Sequence, residues 1–315
     1  MTISALDFFK RDVLLPNKLD GLPHKLSDVE GLQIGSFKTN DGVTLNYWKA
    51  GSGKPLVFVP GWSSNGAEYI NLIYLLKDKY TVYVLDQRNH GLSDKTKLGN
   101  RISCYSMDLH EFLNMENIDK AYLCGWSMGC SVIWGYVDLF GSSRMEKFVF
   151  IDEAVSIYCH SDWTEEQRVN TGAFVRSVES HISMFSGVFG GGKPINRMVV
   201  NTDIFDFYNT IDASAYENSL SLSEQIVQQD IDSLIQIQFD HACNDWSDVI
   251  LHKIDKPTLV VSGEHSNWVE SQLWIANTVP QGEALIYSKQ EHGDHFLHLK
   301  LPQKFASELS AFLEK

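Results

Sequence analysis

Basic charge is scarce in this chain. Twenty-six Lys and Arg stand against 40 Asp and Glu in 315 residues, a formal net charge of −14. No Lys/Arg-rich run of five or more occurs. Nucleic acids and anionic membranes are held by basic patches, so the charge balance argues against both as partners and leaves a small molecule as the expected one. Cysteine is also sparse. The five (Cys104, Cys124, Cys130, Cys159 and Cys243) are odd in number and include no CxxC pair, so neither a zinc site nor a disulfide framework is expected. Free, mostly buried thiols in a reducing compartment are the expectation. No apolar run approaches the roughly 18 residues of a membrane span. The opening "MTISALDFFKRDVLLP" has no basic segment followed by an apolar one, so it does not read as a signal peptide, and the cytoplasm is the expected location. Internal repeats and low-complexity segments are absent. The glycine run in "FGGGKP" has no GxxxxGK[ST] around it and reads as a loop rather than a phosphate cradle.

What remains is an ordinary globular composition, 43% hydrophobic and 21% charged. Short apolar runs at 54–61, 80–86, 120–125, 147–152, 257–263 and 283–288 end in Gly, Pro, Asp or Ser. They are rich in Val, Ile, Leu and aromatics and too short for helices, so they read as buried strands. Amphipathic segments at 66–77, 103–115 and 127–140 lie between them. This alternation predicts a parallel sheet with helical crossovers. Segments 32–38 and 43–50 read as an antiparallel hairpin turning at "NDG". Between about 154 and 250 the alternation stops. Charged, helix-like stretches replace strands, as in an inserted helical lid over a site or a structural elaboration of the core. The expected domains are therefore a core of 1–153 plus 251–315 and a helical cap of 154–250.

One stretch carries chemistry. "CGWSMGCSV" (124–132) places Ser127 between Gly125 and Gly129, where the strand "KAYLCG" passes into the helix "SMGCSVIWGYV". A strand, a sharp turn and a helix form the context in which G-x-S-x-G is a nucleophile elbow. The turn strains the serine, and the residues two positions away must be small. The helix N-terminus then points free N–H groups at a developing oxyanion. One donor is the N–H of Met128. The other belongs to the loop "PGWSSN" after the strand 54–59, where Trp62 is best placed. The Trp62 indole either lines the substrate pocket or packs in the core.

With these residues in view, the chain resembles the α/β-hydrolase fold family. The resemblance rests on "VFVPGW", "VLDQRNHGLSD", "LCGWSMG", "KPTLVVSGE" and "HGDHFLHLKLP" and covers nearly the whole chain outside the insertion. It implies a mostly parallel eight-stranded sheet flanked by helices, a helical cap inserted after strand 6, no cofactor, and a triad in the order Ser, acid, His. It implies His295 as the base among eleven histidines, with His292 and His298 as nearby decoys. The commonest family pattern has an Asp in the loop after the strand 257–262, but "GEHSNWVE" has Ser266 there. Some members take the acid from the end of the preceding strand, which here is Asp152 in "FIDEAV". Glu153 and Glu264 are the reserves, and the structural alternative for Asp152 is a capping carboxylate. In "LDQRNHGLS", Asp86 and Arg88 resemble residues that brace loops near the site, and His90 lies in that loop. Trp126, Phe185 and Phe189, with Trp62, are candidates for an apolar substrate pocket; the insertion also carries Trp163, Phe174, Phe205, Phe207 and Tyr208.

The first expectation is a serine hydrolase cleaving an ester, lactone or related acyl bond. Serine at the elbow argues against dehalogenase and epoxide-hydrolase chemistry, which use an aspartate there. The second is a cofactor-independent dioxygenase that cleaves an N-heteroaromatic ring, to which "PGW" and the acid after the sixth strand are similar. There His295 and Asp152 deprotonate a ring hydroxyl and Ser127 only hydrogen-bonds. The third is a non-catalytic small-molecule receptor. The natural substrate and the oligomeric state are not encoded in any motif.

Overall fold

The computed structural model describes residues 2–174, 179, 222, 223, 225 and 231–315. Nine strands form one sheet: β1 (Thr2–Ser4), β2 (Gln33–Lys38), β3 (Thr44–Ala50), β4 (Lys54–Val59), β5 (Tyr80–Asp86), β6 (Ala121–Trp126), β7 (Met145–Ile151), β8 (Thr258–Gly263) and β9 (Gly282–Tyr287). Their spatial order is β1-β2-β3-β5-β4-β6-β7-β8-β9. The pairs β1–β2, β2–β3 and β3–β5 are antiparallel, and the six strands from β5 to β9 are parallel. All eight expected strands are present. The ninth is β1, whose three exposed residues carry no apolar alternation and so left no trace in the sequence pattern.

Helices cover both faces: α1 (Ile70–Leu76), α2 (Ile102–Met115), α3 (Met128–Phe140), α4 (Glu165–Thr171), α5 (Ile231–Ala242), α6 (Ser247–His252), α7 (Val269–Thr278) and α8 (Pro302–Leu313). The period of two along each strand divides the core. Leu56 and Phe58 of β4 pack with α1 and α8 through Leu72, Ile73, Phe305 and Leu309. Val57 and Val59 face the other way, against Leu109 and Phe112 of α2 and Ile133 of α3. A sheet buried on both faces needs near-continuous apolar strands, and β4 to β8 have them.

The chain leaves the sheet after β7 and rejoins it at β8, so the insertion follows the strand expected to precede it. Helix α6 spans the boundary anticipated between 250 and 251, and its Val249 and Ile250 are buried in the core. The expected pocket residues Phe185 and Phe189, the "FGGGKP" loop, and Phe205, Phe207 and Tyr208 lie outside the described residues. Among the described residues no helix is long and apolar enough to cross a membrane. None of the five cysteines, all among the described residues, forms a disulfide; Cys124 and Cys130 are buried, and burial pushes both thiols well above their ordinary range.

Candidate active site

Ser127 follows β6 directly and caps α3 with φ 52° and ψ −133°. A non-glycine residue in this region is strained and persists only where its surroundings over-determine it. Those surroundings are visible. The Ser127 N–H donates to the Ile151 carbonyl at 2.9 Å, tying the turn to the end of β7. A Cβ on Gly129 would lie 1.9 Å from the Val59 carbonyl oxygen, and one on Gly125 would lie 2.8 Å from the Cys130 nitrogen. Neither position tolerates a side chain, which is the steric reason for the spacing around Ser127.

The loop after β4 closes on the same point. A Cβ at Gly61 would stand 2.9 Å from the Ser127 Cβ, so glycine allows the backbone of Pro60–Trp62 to run against the serine. Met128 is the first residue of α3, and its N–H has no acceptor within the helix. Met128, at the start of α3, and the Pro60–Trp62 backbone, brought in by Gly61, therefore both lie beside Ser127. Gln87 Nε2 donates to the Pro60 carbonyl at 2.7 Å, and the Gly66 N–H donates to Asp86 Oδ1 at 2.7 Å. The segment "LDQR" therefore holds both ends of that loop. Burial pushes the Asp86 carboxyl up to about 6, against donation from the Leu92 and Gly66 N–H groups and the Trp48 indole. Arg88 is buried and makes two hydrogen bonds to Asp108, at 2.7 and 2.6 Å, and two to Asp41, at 3.0 and 3.4 Å. His90 is buried as well, with Nδ1 2.8 Å from the Arg88 carbonyl.

Asp152 directly follows β7 with φ 47° and is 0% exposed. Its Oδ2 lies 2.7 Å from His295 Nδ1. Its Oδ1 accepts from Ser262 Oγ at 2.5 Å. Both carboxyl oxygens therefore have partners, as buried polar atoms require. Of the reserve acids, Glu264 is exposed and accepts from the Lys289 N–H at 2.8 Å. Glu153 is buried but turns to His241, 3.5 Å away. Ser266, at the commoner acid position, accepts from the Trp268 N–H at 3.0 Å and shapes the turn before α7.

His295 is 3% exposed. The Trp126 indole donates to its backbone carbonyl at 2.7 Å, which holds the loop after edge strand β9 back across the sheet to the end of β6. Trp126, Trp268 and Phe296 surround the imidazole with centroid separations of 5.2, 5.4 and 5.5 Å. Trp126, expected as a pocket residue, is buried in the core beneath this loop, where its indole braces the His295 backbone. The Trp62 ring is half-buried against the α2–α3 core, and its Nε1 donates to the Leu234 carbonyl of α5 at 2.6 Å. His292 is exposed. His298 is buried between Tyr69, Trp126 and Phe305; burial and then the nearby His295 hold it well below its ordinary range, a neutral core residue.

Ser262 and Trp268 escaped the sequence reading. The one available signal for Ser262 was a hydroxyl closing an otherwise apolar strand, "LVVSG". Among the described residues no three His, Cys, Asp or Glu side chains gather as metal ligands.

A family model described as "alpha/beta hydrolase fold" matches residues 54–179. A non-heme chloroperoxidase of Kitasatospora aureofaciens is 24% identical over 289 residues, 88% of this chain and 98% of that protein. A 2-(acetamidomethylene)succinate hydrolase of Mesorhizobium japonicum is 32% identical over 149 residues, 45% of this chain and 52% of its own length. Among solved structures, a bromoperoxidase from Bacillus anthracis superposes with a TM-score of 0.72 at 21% identity, covering 90% of this chain and 100% of that one. An esterase from Exiguobacterium antarcticum gives 0.73 at 17% identity, covering 89% and 99%.

Proposed function

This chain has the α/β-hydrolase fold, and from that premise we propose that it is a cofactor-free serine hydrolase that cleaves an ester, lactone or related acyl bond. The observation that carries the reading is the buried Asp152–His295 contact at 2.7 Å, at the end of the sheet where the strained Ser127 emerges. Ser262 donates to the other Asp152 oxygen, so the carboxyl group accepts there and takes His295 Nδ1–H as its second donor. His295 Nε2 then takes the Ser127 proton as Oγ attacks the acyl carbonyl, and returns it to the leaving group. The tetrahedral oxyanion receives the N–H groups of Met128 and Trp62 at the positive end of α3. A water activated by the same imidazole releases the acid and restores the serine. The aromatic surroundings of His295, with Phe174 stacked on Trp268 at 6.4 Å, suit a small, largely apolar acyl group. We further propose that the insertion between β7 and α6 acts as a cap over this site.

A fluorophosphonate that labels activated serines, combined with turnover of a short activated ester, tests the proposal. Wild type should be labelled at Ser127. Ser127→Ala should lose labelling and roughly 10^6 in turnover. Retention of more than about a tenth of turnover rejects serine nucleophilic chemistry. One observation also suits the cofactor-free dioxygenase reading: the acid comes from β7, and Ser266 occupies the commoner acid position. That reading takes over if Ser127→Ala still consumes a hydroxyquinolone-type substrate with oxygen.

A further inference from the structure

We propose that the Trp62 side chain is a positioning residue for the oxyanion donor: with Asn65 it ties the loop Pro60–Asn65 to the returning part of the insertion, so that docking of α5 sets the place of the Trp62 N–H relative to Ser127. The proposal rests on the acyl-transfer reading above and adds a route by which the insertion acts on the chemical step rather than on substrate entry alone.

The loop is held from two sides. On the core side, Gln87 and Asp86 hold its ends, and Asn65 Oδ1 accepts from the Ala67 N–H at 3.1 Å. On the insertion side, Trp62 Nε1 donates to the Leu234 carbonyl at 2.6 Å, and Asn65 Nδ2 donates to Ser223 Oγ at 2.8 Å. These partners lie 172 and 158 residues away along the chain. Between the two tethers Ser63 has φ 59°, a strained conformation for a residue with a side chain. Such a residue stays put only under constraint from both directions.

The helix at the far end of the Trp62 tether is itself fixed to the core. Ser233 Oγ donates to the Thr96 carbonyl at 3.0 Å, and Asn100 Nδ2 to Gln236 Oε1 at 2.9 Å. The Ile102 N–H, at the start of α2, donates to Asp240 Oδ2 at 2.8 Å, and His241 faces Glu153 at 3.5 Å. Helix α5 therefore bears on the first turn of α2 and the end of β7 independently of Trp62. The indole and the proposed donor N–H belong to the same residue. Releasing one lets the peptide plane carrying the other rotate. Oxyanion donors work only within a few tenths of an ångström of their place, and a shift of about 1 Å costs up to 10^2 in rate.

The test uses the full chain and two variants. Trp62→Phe keeps an aromatic ring, though a smaller one, and removes the indole N–H. Ser223→Ala removes the insertion-side acceptor of Asn65 Nδ2, leaving Glu68 Oε1 at 3.3 Å, from a position outside the catalytic machinery. Activated-ester kinetics are paired with inhibition by phenylboronic acid, which forms a tetrahedral adduct on an activated serine. Trp62→Phe is expected to lower kcat about tenfold with KM within about threefold, and to weaken boronate inhibition by the same factor. Ser223→Ala should move both in the same direction by about threefold. The tether is overturned if a folded Trp62→Phe turns over within twofold of wild type, or raises KM alone. Should Trp62→Phe not fold, Ser223→Ala decides by the same criteria. Failure of the acyl-transfer reading shows separately, as an unlabelled wild type and an active Ser127→Ala.

Discussion

The elbow at Ser127 and the Asp152–His295 pair stand at the same end of the sheet, yet they are specified over very different lengths of chain. Most determinants of the elbow lie between Gly125 and Cys130: two glycines that no side chain can replace, a serine at φ 52°, and a helix that starts at the next residue. The pair joins residues 143 positions apart. It depends on β7 lying next to β6, on β8 presenting Ser262, and on a loop drawn from edge strand β9 back to Trp126. A locally built feature is carried by sterics that operate within one turn. A remotely built one is carried by strand order, and residues that never touch the substrate decide which of several carboxylates becomes the partner.

The largest expected effect that tests this contrast falls on the acid. Asp152→Asn should lower turnover by roughly 10^4, because an amide cannot hold the imidazole in the tautomer that accepts the serine proton. Glu264→Gln, on an exposed carboxylate occupied by Lys289, should stay within about twofold, well inside the scatter of surface substitutions. Steady-state ester hydrolysis compares the two, and a more damaging Glu264→Gln would transfer the role of acid to the loop after β8.

A smaller effect sharpens the remote side of the comparison. Ser262→Ala removes one hydrogen bond to a buried carboxylate, worth about 1.5 kcal/mol at the low end, and should reduce kcat roughly tenfold. Unchanged kinetics in that variant would show that His295 alone holds Asp152 in place.

The smallest effect concerns the decoy. Unfolded His298 takes up a proton near 6.5, while the folded residue stays neutral to a much lower pH. Between those values the unfolded state binds more protons, so this group's contribution to stability rises with pH and is lost as pH falls below 6.5. Lowering the pH from 6.5 to about 5.5 should cost about 1 kcal/mol through His298. Burial of Asp86 acts in the opposite sense over part of that range, since its folded value is raised to about 6. The comparison with His298→Gln removes that background: urea denaturation at both pH values should show the variant losing about 1 kcal/mol less. Equal losses would mean that His298 is charged in the folded protein.

The eight main strands, the hairpin at "NDG" and the helix after Ser127 were legible because each follows from a period of two, a turn residue or a steric requirement within a few positions. The choice of Asp152 over Glu153 was legible only as a resemblance. The two are adjacent in sequence, and their opposite directions, one to His295 and the other to His241, arise from the φ of 47° at Asp152 and from what each neighbouring element offers. Trp126 and Trp62 look alike in the sequence, each an aromatic that follows a glycine near the end of a strand. In the fold one supports the His295 carbonyl and the other reaches Leu234.

By itself, then, the sequence determined the layered α/β core and the steric form of the elbow, since alternating burial and close backbone packing act between near neighbours. Only the tertiary structure decided which carboxylate faces His295, which hydroxyl shares it, and which part of the insertion holds the loop beside Ser127. Those contacts are made by directional groups on distant segments, and their partners are chosen by where the sheet order and the returning helix bring them.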